Sequence, residues 1–254
     1  MSFSLEGKVA VITGGTTGIG LAIAKECVAE GATVVITGRD QGRLDEAVTK
    51  IGPKASGVRA DAGSPAAMDA LLKDVKARHG RLDALVANAV VDDHAPLGKI
   101  TEGQFDKMIG TNLKGVLFAV QSAAPLMPIG GSIILIGSTA SVAPPPGMSI
   151  YGAIKGGFHG MVRALIQDLK GTGIRINILS PGAVDTPSLR RALGKAAGAG
   201  RVDEIVQSMA QRSPLGRIGE AHEIGKVAVF LASDASSYVN GVELFADGGL
   251  TQVT

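Results

Sequence analysis

A tyrosine and a lysine stand four positions apart in the segment SIYGAIKGGFHG, residues 149–160, of a chain with only two tyrosines. On a helix that spacing puts Tyr151 and Lys155 on one face, about one turn apart. A phenol ordinarily ionises near pH ~10 and a lysine near ~10.4, so two such groups held together perturb each other and suit proton transfer. The same spacing also arises as an ordinary solvated i,i+4 pair. Local sequence does not separate the two readings.

A second chemical signal lies near the N-terminus. VITGGTTGIGLAIA sets Gly14, Gly15, Gly18 and Gly20 between a β-branched run and a helical pattern. Such a turn lets backbone N–H groups approach a pyrophosphate at the positive end of a helix. The spacing is not G-x-G-x-x-G, because the third glycine would fall on Ile23, and no lysine follows as in a P-loop. The second strand ends ITGRD. Arg39 there offers a two-pronged donor for a ribose 2′-phosphate, whereas a carboxylate would favour the free hydroxyls. This selects NADP(H) over NAD(H), with Asp40 as the residue that would allow NAD(H), and a solvated loop arginine as the plain alternative.

Both signals need a scaffold to bring them together. Strands are predicted at 8–13, 32–37, 56–61, 82–88, 131–138, 174–180 and 242–247. Helical patterns lie between them, at about 18–30, up to Ile51, from Ser64 to Gly80, 101–127, 150–170 and 220–233. Ser64 is the expected N-cap of its helix, with Pro65 at the first helical position. Strands apolar on both faces, alternating with helices, predict an α/β fold: one Rossmann-like doubly wound domain spanning 1–254, with a mostly parallel seven-stranded sheet covered by helices on both faces. Residues 184–215 mix glycine, charge and short helical pieces without a clear strand. They are expected to form a substrate lid, although a surface excursion fits the composition nearly as well.

Bulk composition bounds the rest. The 254 residues are 45% hydrophobic and 19% charged, with a net charge of +2. That charge is too small to argue for nucleic acid or an acidic membrane surface as partner. The single cysteine, Cys27, excludes an internal disulfide and is expected to be packed in a helix, in keeping with a reducing compartment. The N-terminus lacks a signal-peptide pattern and no apolar run approaches a membrane span, so a cytoplasmic location is expected. His79, His94, His159 and His222 fall in separate elements without metal-ligand spacing, and no metal is expected. His94 reads as a solvated loop residue, or alternatively as a substrate contact.

TGGTTGIG near the start and YGAIK past the middle give the chain a resemblance to the short-chain dehydrogenase/reductase family. Between and after them, in the family's order, come Asn88–Ala89, Asn112 in GTNLKG, Ser138 at the end of the fifth strand, and PGAVDT from Pro181 to Thr186. The resemblance spans nearly the whole chain. It implies a tetrad of Asn112, Ser138, Tyr151 and Lys155 that moves a hydride between a nicotinamide and a carbonyl or alcohol carbon. Tyr151 would be the general acid and base, with Lys155 favouring its phenolate and binding the nicotinamide ribose. Ser138 would hold the substrate oxygen, and Asn112 a water that relays protons to Lys155. Cofactor contacts are implied for Gly14, Thr16, Thr17, Gly18, Ile19 and Gly20. They are implied also for Asp61 and Ala62 at the adenine, for Asn88 and Ala89, and for Pro181, Gly182, Val184 and Thr186 at the carboxamide. One departure stands out: the family's Asn-Ala-Gly is Asn88-Ala89-Val90 here, which puts the local loop path in question.

The substrate side is expected to draw on the loop 139–149, on 90–97 and on the lid. Ala140, Pro145 and Met148 are the candidate contacts, beside the stiff run Pro144–Pro145–Pro146. The loop 139–149 carries no arginine or lysine to grip an anion, so a neutral, largely apolar ketone or secondary alcohol is expected. Two rival functions remain: a cofactor-binding sensor or scaffold without chemistry, and an isomerase, epimerase or dehydratase with retained cofactor. The family further implies a homo-oligomer, commonly a tetramer.

Overall fold

The computed structural model describes residues 3–253. Seven strands form one parallel sheet: β1 (Val9–Ile12), β2 (Thr33–Gly38), β3 (Ala55–Arg59), β4 (Ala84–Ala87), β5 (Ser132–Ile136), β6 (Arg175–Pro181) and, last in the chain, β9 (Glu243–Ala246). Their spatial order is β3-β2-β1-β4-β5-β6-β9. The chain therefore runs outward from β1 to β3, then crosses back to β4 and runs outward the other way. That reversal opens a crevice beyond the carboxyl ends of β1 and β4, where the glycine turn and Asn88 lie.

Helices cover both faces because the strands are apolar on both. α1 (Gly18–Ala29), α2 (Gln41–Ile51) and α9 (Ala221–Ala232) pack Ile23, Leu44 and Ile224 against Ala10, Ile12 and Ile36. α3 (Pro65–His79), α5 (Val116–Ala123) and α6 (Ser149–Asp168) pack Leu71, Val120 and Phe158 against the alternate residues Val9, Val11 and Val35. Ser64 caps α3 by accepting from Ala67 N, and Pro65 opens the helix. Cys27 is buried on α1, and burial pushes its thiol up to about 12.

Two expectations change. The single helix predicted over 101–127 is broken: α4 (Glu102–Ile109) passes into a π-helical segment, Gly110–Gly115, before α5 resumes, and a 3₁₀ turn at Ala124–Leu126 ends it. Apolar periodicity does not record where a helix shifts its hydrogen-bond register. Residues 184–215 do contain a strand, β7 (Val184–Asp185), too short to leave an alternation signal. It pairs with β8 (Gly219–Glu220), and α7 (Pro187–Ala197) and α8 (Val202–Arg212) follow β7. Arg190 of α7 joins Asp185 at 2.7 Å to Asp203 of α8 at 2.9 Å.

Candidate active site

The glycine turn is held open by hydrogen bonds made beneath it. Thr13 Oγ1 accepts from the backbone N–H groups of Asn88 and Ala89 at 3.0 Å each. The Asn88 amide donates to the carbonyls of Thr13 at 2.9 Å and Gly14 at 3.0 Å. Gly14 has φ +65°, and a Cβ there would stand 2.9 Å from Ala89 Cα, so only glycine lets the turn sit against β4. α1 begins at Gly18 with no side chain capping its first turn and no acidic residue in it. Its leading N–H groups are therefore free to meet an anion.

A cavity of about 640 Å³ spreads from this turn. Gly14, Thr16, Thr17, Gly18, Ile19 and Gly20 form one wall, with Asn88 and Ala89 beside them. Arg39, Asp61 and Ala62 line it too, as do Pro181, Gly182 and Thr186. Asp40 accepts from Arg43 N at 2.9 Å and caps α2, which accounts for its position better than a ribose role does. Arg43 itself lines the cavity beside Arg39. Nothing in the local sequence marks it, because Arg39 lies in the turn before α2 while Arg43 is on the helix. Among the described residues neither arginine has a carboxylate partner. Asp61 turns one carboxylate oxygen to Gly63 N at 2.9 Å.

Ser138, Tyr151 and Lys155 meet at the floor of the same cavity. Ser138 stands in extended backbone at the end of β5, and its Oγ accepts from Ala140 N at 3.1 Å. The Ser138 hydroxyl lies near enough to the Tyr151 phenol to act on its ionisation. Lys155 is 5% exposed and donates to the Ile136 carbonyl at 2.6 Å, with Nζ 4.8 Å from the Phe158 ring centre. Burial pulls Lys155 down to about 7 and pushes Tyr151 up to about 12. The Ser138 hydroxyl lowers the phenol and the Asp92 carboxylate raises it, both acting less than burial does. Burial of the phenol therefore acts against the lowering that the tyrosine–lysine pairing would give.

Asn112 does not line the cavity. Buried in the π-helical segment, it accepts from Val91 N and donates to Val91 O, both at 2.8 Å, so its amide is spent on holding the loop after β4. A π turn offsets the following residues and frees backbone groups locally. Val90 adopts no left-handed conformation, so valine there is unstrained, and it lines the cavity half-exposed. His94 is an exposed loop residue, as expected, but its ring also packs edge-on against Tyr151, centroids 5.6 Å apart, and lies against Asp92. Val184 turns its side chain into the core, away from the cavity. Ala140, Pro145 and Met148 also lie outside the cavity lining. Ala140 is buried where Gly152 of α6 packs against the loop, Pro145 is exposed, and Met148 precedes α6. Among the described residues no group of three or more His, Cys, Asp or Glu side chains is placed to hold a metal.

The unobstructed helix N-terminus, the close-packed glycines and the two unpaired arginines fit a dinucleotide. A cavity of this kind at the switch point of a parallel doubly wound sheet is the architecture of the dinucleotide-binding oxidoreductases. Residues 14–251 match the family described as enoyl-(acyl carrier protein) reductase. The chain is 45% identical over 251 residues to oxidoreductase asL5 of Sarocladium schorii, covering 98% of both chains. It is 35% identical over 255 residues to the 3-oxoacyl-[acyl-carrier-protein] reductase FabG of Thermotoga maritima, covering 97% of this chain and 98% of that one. The crystal structure of a short-chain dehydrogenase/reductase, glucose/ribitol dehydrogenase, from Brucella melitensis superposes with a TM-score of 0.90 at 31% identity, over 98% of this chain and 99% of that one. The chain belongs to the short-chain dehydrogenase/reductase family, and it is an oxidoreductase of that family.

Proposed function

We propose that the protein is an NADP(H)-preferring carbonyl reductase and secondary alcohol dehydrogenase acting on a neutral, largely apolar ketone or alcohol. The observation that carries this reading is that Ser138, Tyr151 and Lys155 line the same cavity as Arg39 and Arg43. Bound NADPH supplies the hydride. Reduction builds negative charge on the carbonyl oxygen, and Ser138 donates a hydrogen bond to it while Tyr151 delivers the proton. Ala140 N fixes the Ser138 oxygen from behind, leaving its hydrogen free to point at the substrate. Lys155 sits near the phenol and steadies the phenolate left behind. Asn112 holds Val91, and through it the loop that carries Val90, Asp92 and His94 beside the phenol. In alcohol oxidation the same phenolate takes the proton back.

The arginine pair supports NADPH because a guanidinium grips a 2′-phosphate with two parallel hydrogen bonds. The segment β7 to α8 is read as a lid and the chain as one domain. A homo-oligomer, as a tetramer, and a cytoplasmic location complete the reading. No helix among the described residues is long and apolar enough to cross a membrane. The test is an initial-rate panel of ketones and a 3-oxoacyl thioester, with NADPH and NADH side by side. Reduction of apolar ketones, faster with NADPH, supports the reading. Turnover confined to acyl-carrier or sugar-phosphate substrates overturns the substrate class, and equal rates with both cofactors overturn the cofactor assignment.

A further inference from the structure

Glu243 stands in β9, the edge strand of the sheet, yet its side chain is only 2% exposed. A carboxylate is rarely taken out of water without work for it to do. Its register partner on β6 is Ile178, so Ser180, two residues on, is its diagonal neighbour on the same face. Glu243 Oε1 accepts from the hydroxyls of Ser180 and Ser141, the latter at 2.8 Å. Oε2 is the one buried side-chain oxygen among the described residues without a hydrogen bond. The imidazole of His159, on α6, lies against it.

These three partners come from the three segments that build the catalytic floor. Ser141 closes the 3₁₀ turn Thr139–Ser141, whose first cap is Ser138. Ser180 precedes Pro181 and Gly182 of the cavity wall. It packs directly under Gly137, where an added Cβ would collide with its hydroxyl. His159 lies one turn beyond Lys155 on the helix that carries Tyr151. We infer that Glu243 is a positioning residue for the reaction: one buried carboxylate that fixes the Ser138 turn relative to the wall after β6 and to α6. Two hydroxyl donors on one charged oxygen hold the turns more tightly than neutral acceptors would. Displacing a catalytic hydroxyl by even about 1 Å costs turnover rather than binding.

This inference rests on the ketone-reducing reading, and its test separates the two. Glu243→Gln keeps the shape but removes the charge and turns an amide toward His159. It is compared with Ser141→Ala, Ser180→Ala and the double variant Ser141→Ala/Glu243→Gln for kcat, ketone KM, NADPH affinity by fluorescence quenching, and Tm. We expect kcat to fall about tenfold in each single variant, with KM and NADPH affinity within about twofold. The double variant should be no slower than Glu243→Gln alone, because both changes break one device. Losses that multiply in the double variant overturn the inference, as does a fall in Tm with kcat unchanged. Should Glu243→Gln fail to fold, the two serine variants and their double carry the same test, less-than-multiplicative losses supporting it and multiplicative ones overturning it. An active parent with unaffected variants overturns this inference alone, whereas a parent that reduces no ketone overturns the proposed function and the inference with it.

Discussion

The Lys155 ammonium lies 5.5 Å from the centre of the Tyr151 ring and gives a 2.6 Å hydrogen bond to the Ile136 carbonyl. Lys155 is therefore anchored to the end of β5, the strand that also delivers Ser138. Burial works against both charges: the lysine is pulled down to about 7 and the tyrosine held up at about 12.

That burial makes stability depend on pH with a definite sign. An unfolded lysine keeps its proton to about pH 10.4, whereas the folded one gives it up near 7. Across that window the unfolded chain binds more protons, so stability rises with pH, and the penalty is fully present below 7. Tyr151 acts oppositely above pH ~10, where the folded state keeps a proton that the unfolded state loses, so stability then falls. Urea unfolding of the cofactor-free protein from pH 6.5 to 9.5 should show a gain on the order of a few kcal/mol from Lys155. Lys155→Met should flatten that rise and exceed the parent in stability at pH 6.5.

Arg39 is expected to set cofactor preference. Arg39→Asp should lower kcat/KM with NADPH at least about tenfold and flatten or reverse the preference over NADH. Arg43→Ala should weaken NADPH in the same direction, with NADH little changed. Rates with the two cofactors measured at matched ketone concentration check both.

Asn112 gives a prediction about the loop after β4. Asn112→Asp keeps the acceptor for Val91 N but loses the donor to Val91 O, leaving a buried carboxylate against a carbonyl. It should cost about 1–3 kcal/mol of stability or more, read by urea unfolding, and should lower kcat as the loop carrying His94 loosens.

The parts of this design that repeat were legible in the sequence. Runs such as VAVI and SIILI are apolar on both faces and fall between helical patterns, which fixes the layers and leaves the glycine turn one place to sit. Tyr151, Lys155, Ser138 and the glycines, picked out by type and order, come together in one cavity. What was not legible depends on exact register or on partners distant in sequence. The π turn around Asn112 leaves the same side-chain pattern as an α-helix. Asp40 reads alike as a ribose ligand and as the cap of α2. Glu243 carries no signal of its own in sequence, because Ser141 and Ser180, its partners, are far from it along the chain. His94 is a loop residue in sequence and a neighbour of the Tyr151 phenol in space.

The central claim is that Tyr151 delivers the proton. Its most direct test is Tyr151→Phe, which removes one hydroxyl and keeps the ring packed against His94 and α6. The initial rate of NADPH oxidation with a ketone that the parent reduces should fall about 10²–10⁴-fold, with NADPH affinity unchanged by fluorescence quenching. A Tyr151→Phe protein that reduces the same ketone within tenfold of the parent rate would contradict the account.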